Sequence, residues 1–203
     1  RIQLDQDMGD SVPFSDDRDD IRRLIGQNRT AQTGEVIQQL TDSPQDDQAP
    51  YWFPDYSSIV YMSGNEGNAE LYVLRLDGSD PDRLTNNYYF DGNPGVSPDG
   101  SRVTFYSNRD GNYEIYFMKL TENEYKRRTS DAARDANPIY SPDGEWIIYD
   151  SEKSGNYELY AMDPDQNNPT QNLTNHTAND CCARFSPDGK WLLFQSNRNG
   201  NFD

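Results

Sequence analysis

The sequence has very few of the side chains that most often bind metals or act as nucleophiles. It contains one histidine, His176, and two cysteines, Cys181 and Cys182, which are adjacent. A single imidazole excludes a histidine-rich metal site, and adjacent cysteines cannot link distant segments through a disulfide. The Gly-x-Ser-x-Gly elbow of serine hydrolases and phosphate-binding glycine loops are also missing. We therefore expect no catalytic residue, no metal ion and no cofactor.

The cysteine pair is interpreted as chemically inert. A vicinal disulfide and a thiol nucleophile are the alternatives, but no pattern of histidine and carboxylate supports an activated thiol.

Long apolar runs and an excess of positive charge are missing as well. No stretch approaches the roughly 20 apolar residues that a membrane-spanning helix needs, and only 33% of the residues are hydrophobic. Eighteen basic side chains face 35 acidic ones, which gives a formal net charge of −17. Such a charge repels phosphate backbones, so nucleic acid is excluded as a partner.

Residues 1–20 are rich in aspartate and predict an acidic lead-in. The glycine and the distal glutamate of a calcium loop are not in place there.

What the chain does contain is a repeat. Ser-Pro-Asp-Gly begins at Ser97, Ser141 and Ser186, at intervals of 44 and 45 residues, and a degenerate copy surrounds Pro54. Gly-Asn-x-Glu recurs with the same period and ends at Glu70, Glu114 and Glu158. A third marker is a threonine at the end of each unit, at Thr41, Thr85, Thr129 and Thr174. Repeats of roughly 40 to 45 residues with several short strands are typical of propeller blades.

The predicted fold is all-β: a β-propeller of four-stranded antiparallel blades, with about three and a half to four and a half blades in this chain. Residues 21–49 are assigned to the outer half of a first blade, and residues 50–203 to three blades and the start of another. In the second unit we predict an inner strand at Pro94–Ser97, a second strand at Arg102–Ser107 and a third strand at Glu114–Met118. The third strands are apolar on both faces, which predicts that neighbouring blades cover them.

Two further expectations concern turns and completeness. The glycine of Ser-Pro-Asp-Gly suits a left-handed conformation, and Tyr56 replaces it in the first unit, so we expect a different loop there. The sequence stops where a third strand would begin, so we expect other segments to complete the ring.

The phrases Phe185-Ser186-Pro187-Asp188-Gly189-Lys190-Trp191 and Ser196-Asn197-Arg198-Asn199-Gly200-Asn201 resemble the WD-like propeller repeats of the TolB family. The resemblance covers about residues 50–203. It implies a non-catalytic, periplasmic or extracellular scaffold that binds proteins, as TolB binds a peptidoglycan-associated lipoprotein. Similar repeats also form the propellers of prolyl-oligopeptidase-like hydrolases and some polysaccharide lyases. The alternative is therefore a substrate-gating propeller domain of such a larger enzyme. A hydrolase segment that follows this sequence in the natural protein would favour the alternative.

Function is predicted on the face formed by the loops between strands two and three and between strand four and the next strand one. These loops vary while the turns repeat, which favours a protein-binding role. The recurring glutamates are interpreted as structural, and Arg109 and Arg198, which share one repeat position, as ion-pair partners of acids or of a bound protein. The predicted partner-binding residues are Tyr88, Tyr89, Phe90, Arg109, Asp131, Arg134, Asp135, His176 and Asp180.

Overall fold

The computed structural model describes residues 40–65, 68–122, 124–166 and 168–202. Residues from Ser43 onward form one compact unit. Its strands make three four-stranded antiparallel sheets and one two-stranded sheet, and within every sheet the strands are neighbours in chain order. The predicted all-β propeller of four-stranded blades is confirmed. The acidic lead-in at 1–20 and most of the half-blade predicted at 21–49 lie outside the described residues.

We number the blades along the chain. Blade 1 consists of β1 (Asp47–Trp52), β2 (Ser58–Asn65), β3 (Asn68–Arg75) and β4 (Asp82–Arg83). Blade 2 consists of β5 (Asp91–Val96), β6 (Arg102–Ser107), β7 (Glu114–Lys119) and β8 (Glu124–Arg127). Blade 3 consists of β9 (Asp135–Tyr140), β10 (Ile147–Ser151), β11 (Glu158–Met162) and β12 (Gln171–Asn172). The two-stranded sheet, blade 4, consists of β13 (Asp180–Phe185) and β14 (Leu192–Ser196).

The inner strands begin earlier than predicted because each contains a β-bulge. β5 begins at Asp91 rather than Pro94, and its register against β6 shifts between Gly92 and Gly95. Asn93 has a φ of 44° at the bulge, and Asn137 has a φ of 53° at the same place in β9. Asn-Pro resembles a turn in sequence, but here the asparagine takes the left-handed conformation inside a strand, which asparagine tolerates better than most residues.

The expectation of a different loop at Tyr56 was wrong. The amide of Tyr56 donates to the carbonyl of Phe53 at 3.0 Å, and the amide of Gly100 donates to Ser97 at 2.8 Å in the same way. Tyr56 has a φ of 57°, so the tyrosine adopts the left-handed conformation that the repeat imposes. The ladder on either side therefore overrides a local cost of roughly 1–2 kcal/mol.

The turns between strands one and two also connect neighbouring blades. A Cβ built on Gly100 would lie 3.3 Å from Pro54 of the preceding turn, and one built on Gly189 would lie 3.3 Å from Pro142. The proline of each turn thus packs on the glycine of the next. This contact explains why proline and glycine recur together.

The core lies between the blades, as the apolar third strands predicted. Residues Glu114–Met118 of β7 and all of β11 are buried. Each four-stranded blade pairs an aromatic ring of its second strand with a tyrosine of its third at 5.8 to 5.9 Å between centroids. These pairs are Tyr61 with Tyr72, Phe105 with Tyr116, and Tyr149 with Tyr160. The fourth strands end two residues before the threonine markers, because the threonine side chain turns back to the third strand.

The turn packing generates a stability prediction. Gly144 has a φ of 75°, and a Cβ there would lie 3.5 Å from Pro98. Gly144→Val should lower the free energy of unfolding by roughly 1–2 kcal/mol or more, because valine resists the left-handed conformation and its methyl groups would press on the proline. Urea denaturation measures the change. Pro142→Ala is the control and should cost less; equal losses from the two variants would contradict the assigned role of the glycine.

Candidate functional site

The predicted face consists of two sets of loops that touch each other. We call this surface the rim; it comprises loops 108–113 and 152–157 between strands two and three, and loops 86–90, 130–134 and 175–179 between blades. In blade 2, Nδ2 of Asn112 donates to the carbonyls of Asp131 at 3.2 Å and Ala133 at 2.5 Å. In blade 3, Nδ2 of Asn156 bonds to the carbonyls of His176 and Ala178 in the same way. The asparagine of the Gly-Asn-x-Glu marker therefore joins the two loop sets.

The glutamate of the same marker is buried beneath the rim. In blade 2, Glu114 accepts hydrogen bonds from the Thr129 hydroxyl at 2.5 Å and from Nη2 of Arg127 at 2.6 Å. The Thr129 oxygen in turn accepts the amide of Ile115 at 2.9 Å. Burying a carboxylate is costly unless it is hydrogen-bonded, and these partners meet that need. The structural role predicted for the recurring glutamates is confirmed.

In the flanking blades the equivalent glutamate also binds the backbone of the rim. Oε1 of Glu70 accepts the amide of Asn87 at 2.6 Å, and Oε1 of Glu158 accepts the amide of His176 at 2.8 Å. Glu70 also pairs with Arg83 at 3.0 Å. The interior of the blade thereby fixes where each loop starts.

Arg109 belongs to the fold, which corrects its assignment to partner binding. Its Nη2 donates to both carboxylate oxygens of Asp91 at 2.9 Å. The guanidinium also lies over the rings of Tyr116 and Tyr125, 4.7 and 4.9 Å from their centroids. Arg198 pairs with Asp180 in blade 4 at 2.5 Å. The predicted ion pairing is thus found, with the first aspartate of the inner strand as the acid in place of a glutamate.

Blade 3 departs from this pattern. Lys153 stands where blades 2 and 4 have Arg109 and Arg198. Its Nζ pairs with Asp131 at 3.2 Å, and Asp135 has no ion pair among the described residues. Burial raises the pKa of Asp135 to about 6, although the hydroxyls of Ser151 and Thr129 lower it. In blade 4, by contrast, burial raises the pKa of Asp180, but Arg198 and the hydroxyls of Ser196 and Thr174 together lower it further, so the net shift is downward.

The structure divides the other predicted site residues into exposed and buried groups. Tyr88 is 92% exposed and Tyr89 is 46% exposed, and His176 is exposed as well. Asp131 and Arg134 are half-buried. Phe90, Asp135 and Asp180 are buried, which corrects their assignment to a contact surface.

Phe90 and Arg134 are held by aromatic neighbours. The Phe90 ring stacks on Tyr106 at 5.5 Å and meets the edge of Tyr113 at 5.9 Å, so it packs inward. The Arg134 guanidinium lies 5.3 Å from the ring centroid of Tyr113 and 5.7 Å from that of Tyr157. Arg134 thus supports the rim more than it projects from it.

The loop that carries the exposed tyrosines is bound at both ends. The Asn87 side chain donates to Asp91 at 2.7 Å and accepts the amide of Tyr89 at 2.7 Å. The amide of Phe90 donates to Oδ1 of Asn108 at 2.9 Å. Two adjacent tyrosines are therefore presented on a loop whose backbone is already ordered.

A groove that the sequence did not indicate lies on the face opposite the rim. It has a volume of about 750 Å³ and lies between blades 2 and 3. Its acidic residues come from the turns and from the loop after β11; they are Asp99, Asp143, Glu145, Asp163 and Asp165. Arg102 pairs with Asp165 across it at 2.9 Å. The turn aspartates recur in the repeat. Nothing in the sequence shows that the loop after β11, which carries Asp163 and Asp165, approaches them.

The cysteines predicted to be inert are half-buried free thiols in β13. Their sulphur atoms are 3.2 Å apart, well beyond a disulfide bond length of about 2.05 Å. The vicinal disulfide considered above is thus not formed.

The family model described as the TolB beta propeller domain matches residues 34–170. The chain therefore belongs to this family. A search of curated proteins found no match. Among the described residues there is no helix long and apolar enough to span a membrane.

Solved structures of several propellers are similar. TolB from Acinetobacter baumannii shares 28% identity with a TM-score of 0.75, over 84% of this chain and 42% of that chain. A TolB-like protein from Agrobacterium tumefaciens shares 23% identity with a TM-score of 0.61, over 83% of this chain and 75% of that one. An oligogalacturonate lyase in complex with manganese shares 15% identity with a TM-score of 0.67, over 83% and 52%. This chain thus spans less than half the length of the Acinetobacter protein.

The unpaired aspartate of blade 3 generates a pH prediction. Its folded pKa of about 6 lies above the ordinary value of 3.8, so ionisation of Asp135 destabilises the fold as the pH rises from about 4 to about 6. Asp135→Asn should remove this loss and gain about 1–3 kcal/mol over wild type between pH 4 and pH 7, since one pKa unit corresponds to about 1.4 kcal/mol. Urea unfolding at both pH values measures the gain.

Two further variants sharpen this test. Lys153→Arg should reproduce the pairing seen for Arg109 and thereby weaken the pH dependence. Asp143→Asn is the control. The Ser141 hydroxyl and the Glu145 amide lower the pKa of Asp143, so this substitution should not make the protein more stable than wild type as the pH rises. Equal pH dependence in wild type and Asp135→Asn would contradict the assignment.

Proposed function

We propose that this TolB-like propeller is a non-catalytic scaffold of the periplasm or cell exterior and that it binds a partner protein through the rim. The observation that carries the proposal is the 92% exposure of Tyr88 beside the half-exposed Tyr89, on a loop held by buried carboxylates. Tyrosine is enriched at the energetic centres of protein interfaces. The 28% identity with a TolB over 84% of this chain supports the same class of function.

The order of the loop adds to this argument. A surface that orders only upon binding loses affinity to the entropy of ordering. Here the Asn87 amide, the Asn87 side chain and the Phe90 amide already have hydrogen-bond partners. Binding through Tyr88 would therefore immobilise little more than side chains.

Charge indicates the chemistry of the partner. The chain has a net charge of −17, and its longest basic run is the three residues Lys126-Arg127-Arg128. At the rim, Lys153 is engaged with Asp131, and Arg134 lies between two tyrosines. A partner with a basic surface around an apolar or aromatic pocket would be attracted electrostatically and would accept the two tyrosines.

The gating domain of a larger enzyme remains the second candidate. Similar structures include prolyl endopeptidases at 13% identity and a puromycin hydrolase at 15% identity. Identities this low support the shared fold alone, because function depends on sites that the fold does not specify. The scaffold therefore has the stronger support.

The test removes the exposed tyrosines and compares partner binding. Tagged wild type and Tyr88→Ala/Tyr89→Ala are used to capture partners from an envelope extract of the source organism, and the captured partner is then titrated in purified form. Loss of two interface tyrosines should weaken binding by roughly tenfold or more. Circular dichroism and thermal unfolding should change little, because Tyr88 is almost fully exposed and Tyr89 is half-exposed.

Tyr56→Ala is the matched control. Tyr56 is 60% exposed but lies in a turn between strands one and two, on the opposite face. It should leave partner binding intact. Release of the partner by Tyr56→Ala, with full binding by the rim variant, would overturn the proposal.

A further inference from the structure

Two cysteines and a buried aspartate meet where blades 3 and 4 pack together. Cys181 and Cys182 lie at the bulge of β13, and Cys182 has a φ of 61°. The Asp150 carboxylate comes from β10 of the neighbouring blade. One ligand atom from each residue, two Sγ and a carboxylate oxygen, lie within 4.8 Å of one another. The backbone amide of Cys182 donates to Oδ1 of Asp150 at 3.1 Å, which fixes the two segments against each other.

These residues occupy positions of the repeat that differ from blade to blade. Cys182 occupies the bulge position that is Asn93 in blade 2 and Asn137 in blade 3, each with a positive φ. Asp150 occupies the place of Tyr106, since Asp150 pairs with Ala136 as Tyr106 pairs with Gly92. Asp150 and the cysteines are about 30 residues apart in sequence, yet their ligand atoms lie close together. Both positions vary between blades, being Ala49 and Met62 in blade 1, so the three ligating groups meet only where blades 3 and 4 pack together.

We propose that Cys181, Cys182 and Asp150 bind one thiophilic divalent ion of the Zn²⁺ class. Two thiolates and one carboxylate oxygen would be the protein ligands, and solvent would complete a four-coordinate site. Binding releases two protons, one from each thiol, and forms two metal–sulphur bonds and one metal–oxygen bond. Thiolates select soft or borderline ions such as Zn²⁺ over Ca²⁺ and Mg²⁺, which prefer oxygen ligands.

The geometry requires little movement. Two sulphur atoms at about 2.3 Å from a tetrahedral ion are about 3.8 Å apart, whereas they are now separated by 3.2 Å. Rotation of the cysteine side chains supplies this difference. The cysteines are half-buried, so an ion can reach them, whereas Asp150 is buried.

Neighbouring groups support the site from outside. Nδ2 of Asn137 donates to Oδ2 of Asp150 at 2.6 Å, which orients the carboxylate in the way that outer hydrogen bonds orient metal ligands. Two thiolates, one carboxylate and a divalent ion leave one net negative charge. The positive charges of Arg134 and Arg184 act on Asp150 and would offset it.

The experiment titrates Zn²⁺ into the reduced, metal-free chain by calorimetry and repeats the titration with Co²⁺, whose thiolate charge-transfer and ligand-field bands report sulphur coordination. We expect one ion per chain, protection of both thiols from iodoacetamide, and a higher unfolding temperature with metal. Cys181→Ser and Cys182→Ser should each weaken binding by at least tenfold, and Asp150→Asn by roughly 10–100-fold. Asp143→Asn, which removes an exposed carboxylate of the opposite face, should bind like wild type.

Circular dichroism shows whether each variant folds. If Asp150→Asn does not fold, the two serine variants decide, because serine replaces sulphur with oxygen at almost the same size. Absence of stoichiometric binding by the reduced wild type would overturn the proposal. So would serine variants that bind as well as wild type. A reduced pair that binds no metal, and that an added oxidant merely converts to a vicinal disulfide, would also overturn it.

Discussion

The buried glutamate at the start of each third strand joins three parts of the blade that are distant in sequence. In blade 2, Glu114 binds Thr129 after the fourth strand and Arg127 within it. In blade 1, Glu70 also binds the amide of Asn87 in the loop to the next blade. A carboxylate without such partners would cost several kcal/mol to bury, so the partners must come to it.

The fold was predictable where the signal is local. The second strand of blade 2 has the predicted bounds, and its third strand ends one residue later than predicted. Apolar patterning and turn residues mark both strands directly. The inner strand and Tyr56 were predicted wrongly for a shared reason. In both places a residue takes a left-handed conformation that its local preference disfavours, and neighbouring strands impose it. A short stretch of sequence does not show which conformation its neighbouring strands will impose.

The candidate site was predictable as a set of loops but not residue by residue. Tyr88 and Phe90 are two positions apart, yet the first is exposed and the second packs on Tyr106 and Tyr113. That difference depends on rings 16 and more residues away. For the same reason the sequence did not predict that Asp150 lies beside the cysteines. A repeat predicts which positions are equivalent between blades, but it does not predict which side chains of two blades are in contact.

The central claim is that the buried glutamate holds the rim loop of blade 1 rigid, so that Tyr88 is presented on an ordered backbone. Amide hydrogen exchange tests this most directly. The amides of Asn87 and Phe90 donate to Glu70 and Asn108, and we predict that they exchange nearly as slowly as the amide of Leu71 in β3. Exchange at the rate of unprotected loop amides would contradict the account.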